Sequence, residues 1–169
     1  SLNLRFNTLS LKLSEVRWKR YHNDKAPEGD GFKIGVHPSG SDLYVGRGAI
    51  AGEFGPGRIQ IDEPAGFYYP TYSGEEILES GSEYLVVPPS CQCRWINSSS
   101  ENAIFIQDHQ GKKLSIGRVS LEDEKVTICI AEHGTDGSYS SCNFIDSNNE
   151  PQNVSEKYEV LECVETDGK

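Results

Sequence analysis

Apolar and polar residues alternate with a period of two along most of this chain, and nowhere do apolar residues hold a helical period. Leu2, Leu4 and Phe6, then Leu9, Leu11, Leu13 and Val16 after a shift at Thr8-Leu9, predict one or two half-buried strands over residues 2–16. After a turn-rich loop at 23–31, strand-sized runs follow at 32–36, 43–45, 58–61, 67–69 and 84–87. The segments His37-Pro38-Ser39-Gly40-Ser41-Asp42, 51–57 and Ser73-Gly74-Glu75-Glu76 read as turns between them. Pro presets φ in such turns and Gly accepts a positive one. Gly46-Arg47-Gly48-Ala49 continues a strand with little bulk on one face, which predicts a bulge or a close backbone approach. The pattern predicts an all-β protein.

The pattern also occurs twice. Arg17-Trp18 opens one copy and Arg94-Trp95 the next; Leu43-Tyr44-Val45-Gly46-Arg47 corresponds to Leu114-Ser115-Ile116-Gly117-Arg118. Each copy closes on a strand, Tyr84-Leu85-Val86-Val87 or Tyr158-Glu159-Val160-Leu161. A period this long is one supersecondary unit used twice, and neither copy buries its apolar face alone. Residues 1–169 are therefore expected to form a single domain: repeat one at about 16–87, a linker at 88–92 containing Pro88-Pro89, and repeat two at about 93–163.

Lys plus Arg number 16 against 26 for Asp plus Glu, a formal charge of −10. That balance argues against nucleic acid or an anionic membrane as partner, because phosphate neutralisation needs clustered cations. No apolar run approaches the ~20 residues of a spanning helix, so membrane insertion is not expected. The chain has no Met and starts at Ser1, as a processed product would.

The five cysteines are Cys91, Cys93, Cys129, Cys142 and Cys163. An odd number leaves one outside any intrachain set of disulfides. Cys129 with Cys142 can bridge a hairpin, and Cys163 can reach Cys91 or Cys93. Cys91-Gln92-Cys93 lacks zinc-knuckle spacing, and no metal or other cofactor is expected. Sequons at Asn97 and Asn153 are compatible with secretion; a cytoplasmic location is the alternative. Residues 52–57 are glycine-rich, but no Gly-Lys-Ser/Thr follows, so they form no phosphate loop. Asp146-Ser147-Asn148-Asn149-Glu150 lacks the spacing of a calcium hand and reads as a solvated loop. With no nucleophile elbow or His-Glu-x-x-His, no catalytic residue is assigned and the chain reads as a non-enzyme.

The order Leu43-Tyr44-Val45-Gly46-Arg47-Gly48, Gly52-Glu53, Pro56-Gly57-Arg58, Phe67-Tyr68-Tyr69-Pro70, Ser73-Gly74-Glu75-Glu76, Tyr84-Leu85-Val86-Val87 resembles one unit of the DM-nine repeat family. Copy two is similar at Trp95, Gly117-Arg118 and Tyr158-Glu159-Val160-Leu161, but has no Pro-Gly-Lys. The resemblance implies two tandem antiparallel β repeats related by a pseudo-twofold axis and sharing one core. It further implies a pattern-recognition lectin, often mannose-binding. Family members that bind mannose use an acid ten positions before the Gly-Arg arginine and the lysine of Pro-Gly-Lys. Carried over, these positions are His37 and Arg58 in copy one, and Asp108 with Lys125 as the nearest candidate in copy two; Glu53 joins them as a candidate sugar contact.

A carboxylate accepts two bonds from vicinal hydroxyls and a cation donates, whereas His37 accepts only when neutral and Arg58 presents a planar fork. Arg47 and Arg118 are expected to pair with carboxylates across the pseudo-twofold. For the aromatic group Phe67-Tyr68-Tyr69 with Tyr72, alternate members are expected to fill the core and the others to cover a sheet edge. The expected function is glycan recognition at two quasi-equivalent sites, with a homodimer adding avidity. The rival is a protein–protein interaction module with decayed sugar pockets. A third reading is the recognition part of a toxin; with no room for a separate pore module after repeat two, pore formation by this chain alone is not expected.

Overall fold

The computed structural model describes residues 17–22, 25–27, 29–37, 40–50, 53–61, 64–71, 73–78, 80–97, 103–109, 112–121, 125–133 and 139–166. The strands expected over 2–16, and Tyr72, lie outside the described residues.

Every described element is a strand. Repeat one supplies β1 (Arg17–Arg20), β2 (Lys33–Val36), β3 (Asp42–Ile50), β4 (Glu53–Gln60), β5 (Gly66–Thr71), β6 (Gly74–Leu78) and β7 (Ser82–Val86). Repeat two supplies β8 (Cys91–Ile96), β9 (Phe105–His109), β10 (Lys112–Ser120), β11 (Val126–His133), β12 (Tyr139–Ile145), β13 (Pro151–Val154) and β14 (Tyr158–Glu165). The first sheet runs β1-β7-β3-β4-β5-β6 with β2 also on β3; the second runs β8-β14-β10-β11-β12-β13 with β9 also on β10. One antiparallel topology is thus built twice. Between the sheets, Pro88 and its neighbours turn the chain, with the Cys91 N–H donating to the Pro88 carbonyl.

The two sheets bury one apolar layer between them. Ile34, Leu43, Val45 and Leu85 pack with Ile116, Ile128, Leu161 and Cys163, all at most 3% exposed. Each sheet adds its own cluster: Tyr44, Ile59, Phe67 and Tyr84 in the first, and Val119, Ala131, Val160 and the Cys129–Cys142 disulfide in the second. A second disulfide joins Cys93 to Cys163, which face each other across β8 and β14. Cys91 belongs to neither disulfide and is buried.

The close approach expected at Gly46–Ala49 is present. A Cβ on Gly48 would stand 2.6 Å from the Phe67 ring, and one on Gly117 would stand 2.7 Å from both Cys129 and Cys142 sulfurs. The turn expected over 51–57 is shorter than its glycines suggest, because Gly55, Pro56 and Gly57 lie inside β4. Pro56 is tolerated there because the β5 ladder begins only at Arg58. Gly74, Glu75 and Glu76 likewise belong to β6 rather than to the turn before it.

The two Gly-Arg arginines form matching units. Arg47 lies 4.6 Å over the Trp18 ring and donates to Glu83 at 2.9 Å; Arg118 lies 4.7 Å over Trp95 and donates to Glu159 at 2.8 Å. The carboxylates come from the arginine's own repeat, contrary to the expected pairing across the pseudo-twofold. Register is the reason: Arg47 faces Glu83 and Arg118 faces Glu159 on the neighbouring strand. What crosses between repeats is a bond from Arg118 Nη1 to the Ile34 carbonyl, at 3.1 Å.

Candidate functional site

Two of the residues singled out by sequence, His37 and Arg58, meet in a cleft of about 270 Å³ between the repeats. His37 ends the β2 side of a hairpin whose turn is closed by bonds from His37 N–H to Ser41 and from Gly40 N–H to His37. Arg58 lies in β4, flanked by Gly57 and Ile59, and is 2% exposed.

A strand places residues i and i+2 on one face, so Arg58 and Gln60 project together. Arg58 Nη1 donates to Gln60 Oε1 at 2.7 Å. Its Nε donates to Glu75 Oε2 at 3.1 Å while Nη2 grips Glu75 Oε1, a bidentate pair. Tyr68, opposite Arg58 in the β4–β5 ladder, lies under the guanidinium with 4.3 Å to the ring centroid. These contacts hold a nearly dehydrated cation in one place. Burial, and then the Arg58 charge, pull the His37 imidazole down to about 4 from its usual 6.5, so it is neutral near pH 7 and can accept a hydrogen bond.

Repeat two builds the opposite wall from Leu121, Thr127, Ile145, Asp146, Ser147 and Asn149. The 146–150 segment, read from sequence as a solvated loop, thus has a structural place in the cleft. Asp146 Oδ1 accepts from the N–H groups of Asn148 and Glu150, and Oδ2 from Gln152. The Glu150 N–H bond, with those from Gln152 and Asn148, holds the carboxyl below its ordinary range despite an opposing desolvation effect. Asn149, at φ 61°, accepts from the Glu75 N–H through Oδ1 at 3.0 Å. That bond latches the two repeats across the cleft. Sequence reasoning missed Glu75, Asp146 and Asn149 as wall residues; Glu75 stood inside a word read as a turn, and the other two are brought up from repeat two by packing alone.

Beside this cleft lies a second, of about 550 Å³, that carries its register counterparts. Arg58 faces Val45 as Ile130 faces Ile116, and Glu75 faces Pro70 as Pro151 faces Ile145. Ile130, Pro151, Pro70 and Thr71 therefore stand where the first cleft has Arg58, Glu75, Ile145 and Asp146. The bidentate ion pair of one cleft is an isoleucine and a proline in the other.

The same registers relocate the remaining candidates. Lys125 is not the counterpart of Arg58: its carbonyl accepts from Leu121 N–H at the β10–β11 turn, the place that Glu53 takes opposite Ile50. Asp108 pairs with Lys113 as Val36 pairs with Asp42, so it matches Val36, and His109 matches His37. The second hairpin is one residue shorter, and counting back from the arginine lands one position off. The side chains of Glu53 and Asp108 lie outside the described residues. Of the aromatic group, Phe67 is fully buried and Tyr69 stacks against it, while Tyr68 serves the cleft. Among the described residues, no group of three or more His, Cys, Asp or Glu is placed to hold a metal.

Comparison with known proteins bears on the fold and the family. No curated protein matches the chain in sequence. The crystal structure of the nematode sperm cell motility protein MFP2B superposes with a TM-score of 0.64 at 14% identity, over 91% of this chain and 48% of that one. The chain thus spans about half the length of that protein and shares its fold. The family model described as DM9 repeat matches residues 39–139, from the first Gly-Arg hairpin through β11. With more than half of its length matched, the chain belongs to the DM9 repeat family.

Proposed function

We propose that this protein is a non-catalytic glycan-binding module, a lectin of mannose-type or related specificity, that works from the cleft of His37 and Arg58. The observation that carries the reading is the convergence of unlike hydrogen-bonding groups from two repeats on one small space. A neutral imidazole accepts; a fixed guanidinium with three N–H groups committed to Glu75 and Gln60 supplies positive field; Asp146 and Asn149 face it from repeat two. Vicinal hydroxyls both donate and accept, so mixed partners held at fixed positions suit them, with Tyr68 supplying a ring beneath the cation. Glu53, Asp108 and Lys125 carry no part of this reading.

Two disulfides support an extracellular location, and the role proposed there is innate recognition of glycans. Weak affinity per sugar would be raised by a homodimer presenting two copies of the site. The test is a glycan array on the purified chain beside Arg58→Leu and His37→Ala. Selective binding lost in both variants is the expected result. A blank array from folded protein overturns the reading in favour of a protein-interaction module, which the more apolar second cleft supports.

A further inference from the structure

We infer that this chain holds a hydroxylated ligand in one cleft only, and that the residue pair at the Arg58/Glu75 position, Ile130/Pro151 in repeat two, decides which cleft it is. The inference rests on the glycan reading above and deepens it.

Three observations carry it. The first is positional identity. Arg58 and Ile130 hold the same place in two ladders of one topology, and so do Glu75 and Pro151. The second is that both members of the pair change together. Replacing only the arginine would strand a carboxylate, and replacing only the glutamate would strand a buried cation; Ile with Pro strands neither. The second cleft therefore lacks the whole charged unit, and Ile145 in its wall is only 8% exposed.

The third is that the pair position of the second cleft offers no hydrogen-bonding side chain; its polar lining, Thr71, Glu132, Asn143, Gln152 and Asn153, stands elsewhere in the wall, and two of its amides already donate within the protein. Asn153 donates to Asn143, and Gln152 donates to Asp146. Proline at 151 also has no N–H to offer, whereas the Glu75 N–H reaches Asn149. At the pair position a sugar meets Ile130 and Pro151, whose side chains return none of the hydrogen bonds its hydroxyls lose with water. The same position in the first cleft presents a fixed cation beside the His37 imidazole.

Amide shift mapping on the full chain titrated with methyl α-mannoside tests this. The expected result is saturable shifts at Arg58, Glu75 and Asn149, with none at Ile130, Asn143 or Asn153. Equal shifts at both sets overturn the inference and leave the glycan reading standing. Shifts at neither set, in folded protein, overturn the glycan reading and this inference with it. The double variant Ile130→Arg/Pro151→Glu is expected to gain the second set of shifts. If that variant folds and shows only the first set, the pair is not the determinant and the inference fails.

Discussion

The Arg58 guanidinium and the Glu75 carboxylate join β4 to β6 by a two-point ion pair, with Arg58 3% exposed and Glu75 20% in their side chains. β5 lies between these strands in the sheet, so the pair reaches across it. Desolvation makes such a pair matter mainly when it is broken.

Glu75→Ala strands the buried cation and should cost about 2–3 kcal/mol, below the full range for buried pairs because Glu75 keeps some water. Arg58→Leu should cost a similar amount. The double variant should lose clearly less than the sum, with a coupling of about 2 kcal/mol. Urea denaturation of the four proteins measures it; strict additivity would mean that the two side chains do not act as a unit.

Arg118 ties its own repeat together through Glu159 and Trp95, and reaches the other through Ile34. Arg118→Ala should lower stability by about 2 kcal/mol. Arg118→Lys should recover less than half of that, since a point charge cannot serve the ring, the carboxylate and the carbonyl together. Thermal melts of both variants against the native chain give the comparison.

His37 gives stability a pH dependence of definite sign. Its folded pKa is depressed to about 4 from 6.5. Between those values the unfolded chain holds a proton that the folded chain refuses, so stability rises with pH in this window. The contribution is complete above about 6.5 and is lost as pH falls toward 4. After discounting for the partly exposed ring, it is on the order of 1 kcal/mol. Native and His37→Gln proteins melted at pH 7 and pH 4.5 should differ in slope, the variant being flatter. Methyl α-mannoside affinity should stay level from pH 8 to 5 and fall near pH 4, where the acceptor becomes a donor.

The disulfides differ in the loops they close, 70 residues for Cys93–Cys163 and 13 for Cys129–Cys142. On the chain-entropy account they contribute about 4 and about 3 kcal/mol. Paired Cys→Ala replacement should reproduce that order in denaturant titrations. Alkylation of unreduced, unfolded protein should label Cys91 alone, and five labelled thiols would remove the support for an extracellular location.

By itself the sequence determined the all-β class, the duplication and the family, because period-two alternation and repeated turn words are local signals that survive divergence. It also offered Cys129 with Cys142 as one possible bridge, and it named His37 and Arg58. It left Cys163 divided between two partners, since only the β8–β14 register sets Cys93 opposite it. The tertiary structure alone decided the composition of the site. Glu75 joins Arg58 by reaching across β5, and Asn149 arrives from another repeat, 74 residues along the chain from the N–H it accepts. Counterparts also had to come from pairing rather than counting: the β9–β10 hairpin is one residue shorter than β2–β3 and the β10–β11 turn one residue longer than β3–β4, and each such change moves the matches beyond it by one place and, in a strand, to the opposite face. That is why only the ladders show that Ile130 holds the position of Arg58 in the second repeat.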